Sequence, residues 1–155
     1  MTGPWVIDAS VLAKVYLRDE EFAPVAQRFV SRYVDASLDL VAPQLILYEI
    51  PSAIQTAVRR GRLDPKDGLA AMDDFFRLQI PVVGDSNTLR PMLESASALA
   101  EELGCRLYDA MYLTVAETLD CRFITADLKL YGAVSERADY VVWIADYAEE
   151  PERST

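Results

Sequence analysis

Four acidic side chains interrupt apolar stretches of this chain and are the first candidates for chemistry. Asp8 follows Trp-Val-Ile, Glu49 follows Leu-Ile-Leu-Tyr, Asp109 follows Leu-Tyr, and Asp127 follows Phe-Ile-Thr-Ala. An ionised carboxylate in apolar surroundings loses its hydration and therefore needs a partner. Four such residues in one chain indicate a shared positive partner, for which a divalent cation is the natural candidate.

The absence of histidine narrows the remaining chemistry. The chain has 155 residues and no histidine. Serine–histidine hydrolases, cysteine–histidine proteases and histidine-based ribonucleases are therefore excluded in their usual forms, and so is zinc bound by histidine. The oxygen ligands that remain suit Mg²⁺ or Mn²⁺.

Each acid also has a structural alternative. Asp8, Asp109 and Asp127 each precede a predicted helix, where aspartate is a favoured N-cap. Glu49 discriminates between the two interpretations, because it is expected well inside a helix and cannot cap it. Its helical neighbours are apolar, and glutamate is almost never buried without a partner. A buried ion pair with an arginine is the alternative to a metal for Glu49.

Two hydroxyl side chains stand two residues from a candidate acid. Ser10 follows Asp8, and Thr125 precedes Asp127. Their hydroxyls could hydrogen-bond a carboxylate oxygen or a water beside the metal. Helix capping by Ser10 and the strand preference of Thr125 explain the same residues equally well.

The net charge of the chain is strongly negative. A formal charge of −10 argues against broad electrostatic adhesion to nucleic acid or to an anionic membrane. The densest basic cluster, Arg59, Arg60 and Arg62, remains a candidate local surface for RNA, with an ordinary solvated surface as the alternative. Further basic residues lie near the acids in sequence: Lys14, Arg18, Arg106, Arg122 and Lys129.

Hydrophobic patterning predicts strands that alternate with helices. This alternation predicts an α/β fold, a three-layer α/β/α sandwich around a short, mostly parallel sheet. Ligands of such folds bind beyond the carboxyl ends of the strands, where Asp8 and Asp127 are expected. The predicted strands are 5–7, 38–41, 80–83, 121–125 and 140–144, and the predicted helices are 9–17, 21–35, 43–60, 63–78, 87–103, 108–119 and 128–134.

Proline positions refine two of these elements, and composition sets the domain organisation. Pro43 is expected in the first turn of its helix, Pro51 inside that helix, and Pro81 marks an edge strand.

We expect one domain over 1–148 and a flexible tail over 149–155. No apolar run approaches the roughly 20 residues of a membrane span, and no secretory signal is visible, so we expect a cytoplasmic protein whose two cysteines are reduced.

At these acids the chain resembles the PIN-domain ribonucleases, in particular the VapC-type toxins of prokaryotic toxin–antitoxin pairs. The match consists of Val-Ile-Asp8-Ala-Ser after the first strand, Leu-Tyr-Glu49 in a mid-chain helix, Tyr-Asp109-Ala, and Ile-Thr-Ala-Asp127. It extends from about residue 6 to 144. No single piece is specific, but the ordered set at this length is.

The resemblance implies an endoribonuclease that uses Mg²⁺ or Mn²⁺, as one or two ions, to hydrolyse RNA phosphodiester bonds. It makes Asp8, Glu49, Asp109 and Asp127 the metal ligands, with Ser10 and Thr125 as supporting residues. It also implies a small antitoxin partner and a homodimer. Many relatives carry an asparagine shortly after the helix glutamate, and here Ile-Pro-Ser-Ala has none.

Three other functions stay open. A PIN-like nuclease could process RNA without an antitoxin. The same fold could serve as a catalytically silent interaction module, against which the four intact acids argue. A phosphatase-type hydrolase could use Asp8 as its nucleophile, but that chemistry usually needs a second aspartate where this chain has Ser10.

If the basic cluster contacts RNA, replacing Arg59 and Arg60 together with alanine should weaken RNA binding, because phosphate contacts supply affinity at low salt. Filter binding or fluorescence anisotropy at low salt measures the effect. Unchanged affinity would contradict this assignment.

Overall fold

In the computed structural model, which describes residues 3–147, five parallel strands form one sheet in the order β3-β2-β1-β4-β5. The strands are β1 (Trp5–Ile7), β2 (Leu40–Pro43), β3 (Val82–Val83), β4 (Phe123–Thr125) and β5 (Val141–Trp143). The helices of this part of the chain are α1 (Ala9–Tyr16), α2 (Ala23–Val34), α3 (Ile46–Arg59), α4 (Pro65–Arg77), α5 (Leu89–Leu103), α6 (Leu107–Thr118), α7 (Leu128–Val134) and α8 (Ile144–Tyr147).

The predicted α/β sandwich with a parallel sheet is confirmed. The edge position of β3, directly after Pro81, is confirmed as well. Cys105 and Cys121 are free thiols, as expected. Within residues 3–147, no helix is both long and apolar enough to cross a membrane. The predicted tail, 149–155, lies outside the described residues.

The strand order changes direction between β1 and β4, and the topology therefore predicts a crevice at the carboxyl ends of these two strands. The chain leaves β1 through α1 and α2 to reach β2 on one side, and it returns much later through α5 and α6 to β4 on the other side. Such a change of direction opens a crevice beyond the strand ends, where ligands of α/β proteins bind. Asp8 directly follows β1 and Asp127 lies two residues after β4, so both carboxylates flank this crevice.

Helix α6 forms the centre of one helical layer. Its residues from Ala110 to Ala116 are all buried, which is typical of a helix covered on every side. It packs on β1, β2 and β4, with α5 beside it. The less buried first turn of α6 carries Asp109.

Most element boundaries differ from the sequence-based expectation by one to three residues, and the start of α3 is one of them. The helix expected from Pro43 begins at Ile46, because Pro43 is the last residue of β2. Its neighbours Ala42 and Gln44 donate to the carbonyls of Pro81 and Val83 in the adjacent strand. The nitrogen of Pro43, which carries no hydrogen, therefore faces away from β3 at the end of β2, where proline is tolerated.

Two further differences concern α6 and the last strand. Helix α6 begins at Leu107 with Arg106 at its N-cap, so Asp109 lies within the first turn and does not cap the helix. The last strand ends at Trp143, and Ile144 begins the short helix α8. The expectation that Glu49 lies well inside its helix is wrong, because α3 begins at Ile46 and Glu49 lies in the first turn. The backbone N–H of Glu49 nevertheless makes a helical hydrogen bond to the carbonyl of Leu45.

Helices α3 and α4 approach closely at Gly68. A Cβ atom on Gly68 would lie 2.7 Å from Cγ2 of Val58 and 3.6 Å from Cγ2 of Ile54. The branched side chain of Val58 has little rotational freedom with which to move away. Gly132 in α7 provides a contrast, since nothing lies within 4 Å of its Cβ position.

We expect Gly68→Ala and Gly132→Ala to change the free energy of unfolding in opposite directions. Alanine gains about 0.5–1 kcal/mol over glycine inside a helix, and Gly132→Ala should show this gain. At Gly68, overpacking by about 1–3 kcal/mol should exceed the gain, giving a net loss. Urea denaturation of both variants measures the two signs, and stabilisation by Gly68→Ala would contradict the close approach.

Candidate active site

Asp8 is a buried carboxylate held by two hydroxyl groups. Parallel pairing of Ile7 with Ile124 brings Asp8 beside Thr125. The hydroxyls of Ser10 and Thr125 both donate to Oδ2 of Asp8, at 2.6 and 2.7 Å. Asp8 occupies the N-cap position of α1, but its side chain accepts no capping hydrogen bond. The capping alternative for Asp8 is therefore wrong, and the hydroxyl contacts expected from the spacing are present.

The surroundings of Asp8 disfavour its charge. Burial raises the pKa of Asp8 to about 6, and the hydroxyls of Ser10 and Thr125 offset only part of this effect. The nearby carboxylates Asp109 and Asp127 raise the pKa further. With 7% of its surface exposed, Asp8 is a desolvated acid among other acids, which is the environment that a bound cation relieves.

Glu49 is held by a tyrosine from another helix. The hydroxyl of Tyr112 in α6 donates to Oε1 of Glu49 in α3, at 2.5 Å. Burial raises the pKa of Glu49, and Asp8 and Asp109 add to the shift. The partner of Glu49 is therefore a neutral tyrosine and not the arginine that was the alternative. Tyr112 was not a candidate from sequence, although its position three residues after Asp109 on α6 placed it on the same helical face.

Arg106 supplies the positive charge beside two of the acids. Its Nε donates to Oδ2 of Asp109 at 2.9 Å and its Nη2 donates to Oδ1 at 3.3 Å. The same Nη2 lies 3.9 Å from Oδ2 of Asp127. The Arg106 side chain is 75% exposed, so it reaches the pair from the solvent side. The sequence places Arg106 three residues before Asp109, but it does not reveal that Arg106 also approaches Asp127.

Asp127 caps α7, as the capping alternative predicted. Its Oδ1 accepts from the backbone N–H of Leu130 at 3.0 Å, while Oδ2 faces Arg106. Its own backbone N–H donates to Oγ1 of Thr125. Thr125 therefore links the backbone of Asp127 to the carboxylate of Asp8, and the loop after β4 sets the separation of the two acids.

The structure places the four acids near one another but not in a compact cluster. The pKa of Asp8 responds to Asp109 and Asp127, and the pKa of Glu49 responds to Asp8 and Asp109. Even so, no group of three acidic or thiol side chains within residues 3–147 is close enough together to hold a metal ion. Each acid is instead bonded to its own partner: hydroxyls, a phenol, an arginine or a helix end.

A groove runs from Glu49 across the surface of α3. It has a volume of about 520 Å³, and Tyr48, Tyr108 and Arg62 line it. Arg62 is bonded to Asp19 and Glu20. Arg59 and Arg60, the other residues of the basic cluster, are exposed at the carboxyl end of α3. The structure thus brings one of the three arginines to the candidate site.

Comparison with known proteins identifies the family. The PIN domain family model matches residues 5–134. A VapC ribonuclease of Mycobacterium bovis is 32% identical over 128 residues, covering 81% of this chain and 87% of the relative. Ribonuclease VapC3 of Pyrobaculum aerophilum is 32% identical over 130 residues, covering 81% of this chain and 90% of the relative.

A solved structure shares the fold. The crystal structure of PAE2754 from Pyrobaculum aerophilum superimposes with a TM-score of 0.66 at 20% identity, covering 97% of this chain and all of that chain. At this identity the likeness concerns the fold alone. With the family model matching residues 5–134 and relatives at 32% identity covering 81% of the chain, this protein belongs to the PIN domain family.

Proposed function

We propose that this protein is a divalent-metal-dependent endoribonuclease and the toxin of a type II toxin–antitoxin pair. The observation that carries the proposal is the buried, hydroxyl-bonded carboxylate of Asp8 at the crevice between β1 and β4, electrostatically coupled to Asp109 and Asp127. The relatives named VapC ribonucleases support the reaction class.

The donor set fits a hard divalent cation. We assign Asp8, Glu49, Asp109 and Asp127 as the ligands of one or two Mg²⁺ or Mn²⁺ ions, because carboxylate oxygens suit these cations. Binding one ion between them would require rotation of their side chains toward one another. When bound, the ion would act as a Lewis acid on the phosphate and lower the pKa of an attacking water.

The protein groups around the acids would position and balance the ligands. Ser10 and Thr125 hold Oδ2 of Asp8, and Tyr112 holds Oε1 of Glu49. Such contacts fix the orientation of ligating carboxylates. When Asp109 binds the ion, its bond with Arg106 would break. The guanidinium of Arg106 would then be free to approach a phosphate of the substrate, which guanidinium groups bind well.

The partners follow from the resemblance. We propose an RNA substrate, a small antitoxin, a homodimer and a cytoplasmic location, all in line with relatives called VapC. The net charge of −10 suits a basic antitoxin segment. A short neighbouring reading frame that encodes a protein able to inhibit cleavage would separate this role from that of an RNA-processing nuclease.

Purified protein should cleave total RNA in the presence of Mg²⁺ or Mn²⁺, and both EDTA and Asp8→Asn should abolish cleavage. The variant keeps the shape of the side chain but removes its charge, and circular dichroism checks that it folds. Gel analysis of the RNA measures the outcome. Full activity of Asp8→Asn would overturn the ligand assignment, and absence of both cleavage and metal binding would favour a silent interaction module.

In EDTA, the wild-type protein should lose stability relative to Asp8→Asn as the pH rises from about 4 to about 6. The raised pKa means that folded Asp8 holds its proton more tightly than unfolded Asp8, so the contribution is lost as the proton leaves. The loss should be on the order of 3 kcal/mol at about 1.4 kcal/mol per pKa unit.

Urea denaturation of both proteins between pH 4 and pH 8 measures this difference, and Asp8→Asn cancels the contributions of other acids. Adding Mg²⁺ or Mn²⁺ at pH 7 should stabilise the wild type more than the variant, since the cation relieves the charge of Asp8. If the difference in free energy of unfolding between the wild type and Asp8→Asn does not depend on pH, Asp8 is not desolvated.

A further inference from the structure

Two tyrosine rings beside the candidate acids are left in solvent. Tyr48 is 70% exposed and Tyr108 is 60% exposed, whereas Tyr112 and Tyr147 are buried. An exposed aromatic ring forgoes the burial that stabilises such side chains in a core. A single exposed ring is ordinary, but these two line one groove together with Glu49. Their joint position therefore points to a ligand that contacts aromatic surfaces.

The helices place both rings next to the acids. Tyr48 directly precedes Glu49 in α3, and Tyr108 directly precedes Asp109 in the first turn of α6. Tyr108 also lies one helical turn before Tyr112, on the same face, and Tyr112 holds Glu49. A molecule lying over the two rings would thus be in contact with the neighbourhood of the carboxylates.

Electrostatic attraction offers little in this groove. Among the described residues that line it, Arg62 is the cationic side chain, and it is bonded to Oδ1 and Oδ2 of Asp19 at 3.0 Å and to Glu20 at 3.1 Å. The formal charge of the chain is −10. Phosphate neutralisation within this groove is therefore weak, and stacking of bases on aromatic rings provides a source of affinity there that tolerates any sequence.

We propose that Tyr48 and Tyr108 form a stacking platform for unpaired bases next to the cleaved phosphodiester. This inference rests on the proposed ribonuclease function and adds to it two binding residues outside the acidic set. Inside a duplex both faces of each base are covered by its neighbours, so a paired strand gains little from such rings beyond its two ends. Stacking also predicts that the contribution of the rings is insensitive to salt, unlike that of phosphate contacts.

The test measures RNA binding by fluorescence anisotropy in the Asp8→Asn background with Mg²⁺, where cleavage is blocked. The probes are a labelled 12-nucleotide oligo(A) and a blunt RNA duplex. Tyr48→Ala and Tyr108→Ala should each weaken single-strand binding by roughly 5- to 100-fold at both low and moderate salt. Tyr48→Phe and Tyr108→Phe should restore binding, and duplex binding should change little.

A matched control is Phe76→Ala, which removes a ring of 53% exposure from α4 without touching the groove. It should leave RNA binding unchanged. Loss of binding in the phenylalanine variants as well would overturn stacking, because a ring is still present. Sedimentation of each variant shows whether the alanine substitutions disrupt a dimer instead, and affinity that falls only with dimer dissociation would assign the rings to contact with a second copy.

Cleavage by the otherwise wild-type protein separates this inference from the function on which it rests. If the parent protein cleaves RNA and both tyrosine-to-alanine variants cleave equally well, the stacking platform is wrong and the nuclease assignment stands. If the parent protein neither cleaves nor binds RNA, both are wrong. A fall in kcat/KM that matches the fall in affinity would support both.

Discussion

The cost of burying the Asp8 carboxylate, increased by repulsion from the neighbouring acids, is the constraint around which the site is organised. Asp8 is buried, and its pKa of about 6 reflects lost hydration and the neighbouring charges of Asp109 and Asp127. The fold keeps these acids close by bonding each to a separate neutral or cationic partner. Arg106 provides the cation, bonded to Asp109 and near Asp127. These contacts fix the orientation of the carboxylates at this end of the sheet.

Helix α6 connects this constraint to the core. Its middle is buried between the sheet and α5, and its first turn carries Asp109 into the crevice. From the buried part, Tyr112 reaches Glu49 in α3, so the position of one acid depends on the packing of the helix that carries another. A close-packed interior transmits small displacements, and substitutions in the buried part of α6 would therefore move the site as well as lower stability.

Much of the fold could be predicted from local patterns. Periodicity located each strand of the described sheet to within a few residues, and Pro81 correctly marked β3 as the edge. The errors occurred at boundaries that tertiary contacts decide. Pro43 suits a helix start by its own chemistry, yet it ends β2 because the hydrogen-bond ladder of the sheet stops there. Arg106 is an unusual N-cap, so the true start of α6 carried no recognisable signal.

The sequence by itself determined which chemistry is available. Carboxylates among apolar residues are recognisable locally, because desolvation of a charge is costly wherever the chain places it. Only the tertiary structure decided how each acid is held. Thr125 bonds Asp8 across 117 residues of sequence, and Tyr112 bonds Glu49 across 63. Such pairs depend on strand register and helix packing, which no local pattern encodes. For that reason the four acids were recognisable from the sequence, whereas the bond between Tyr112 and Glu49 was not.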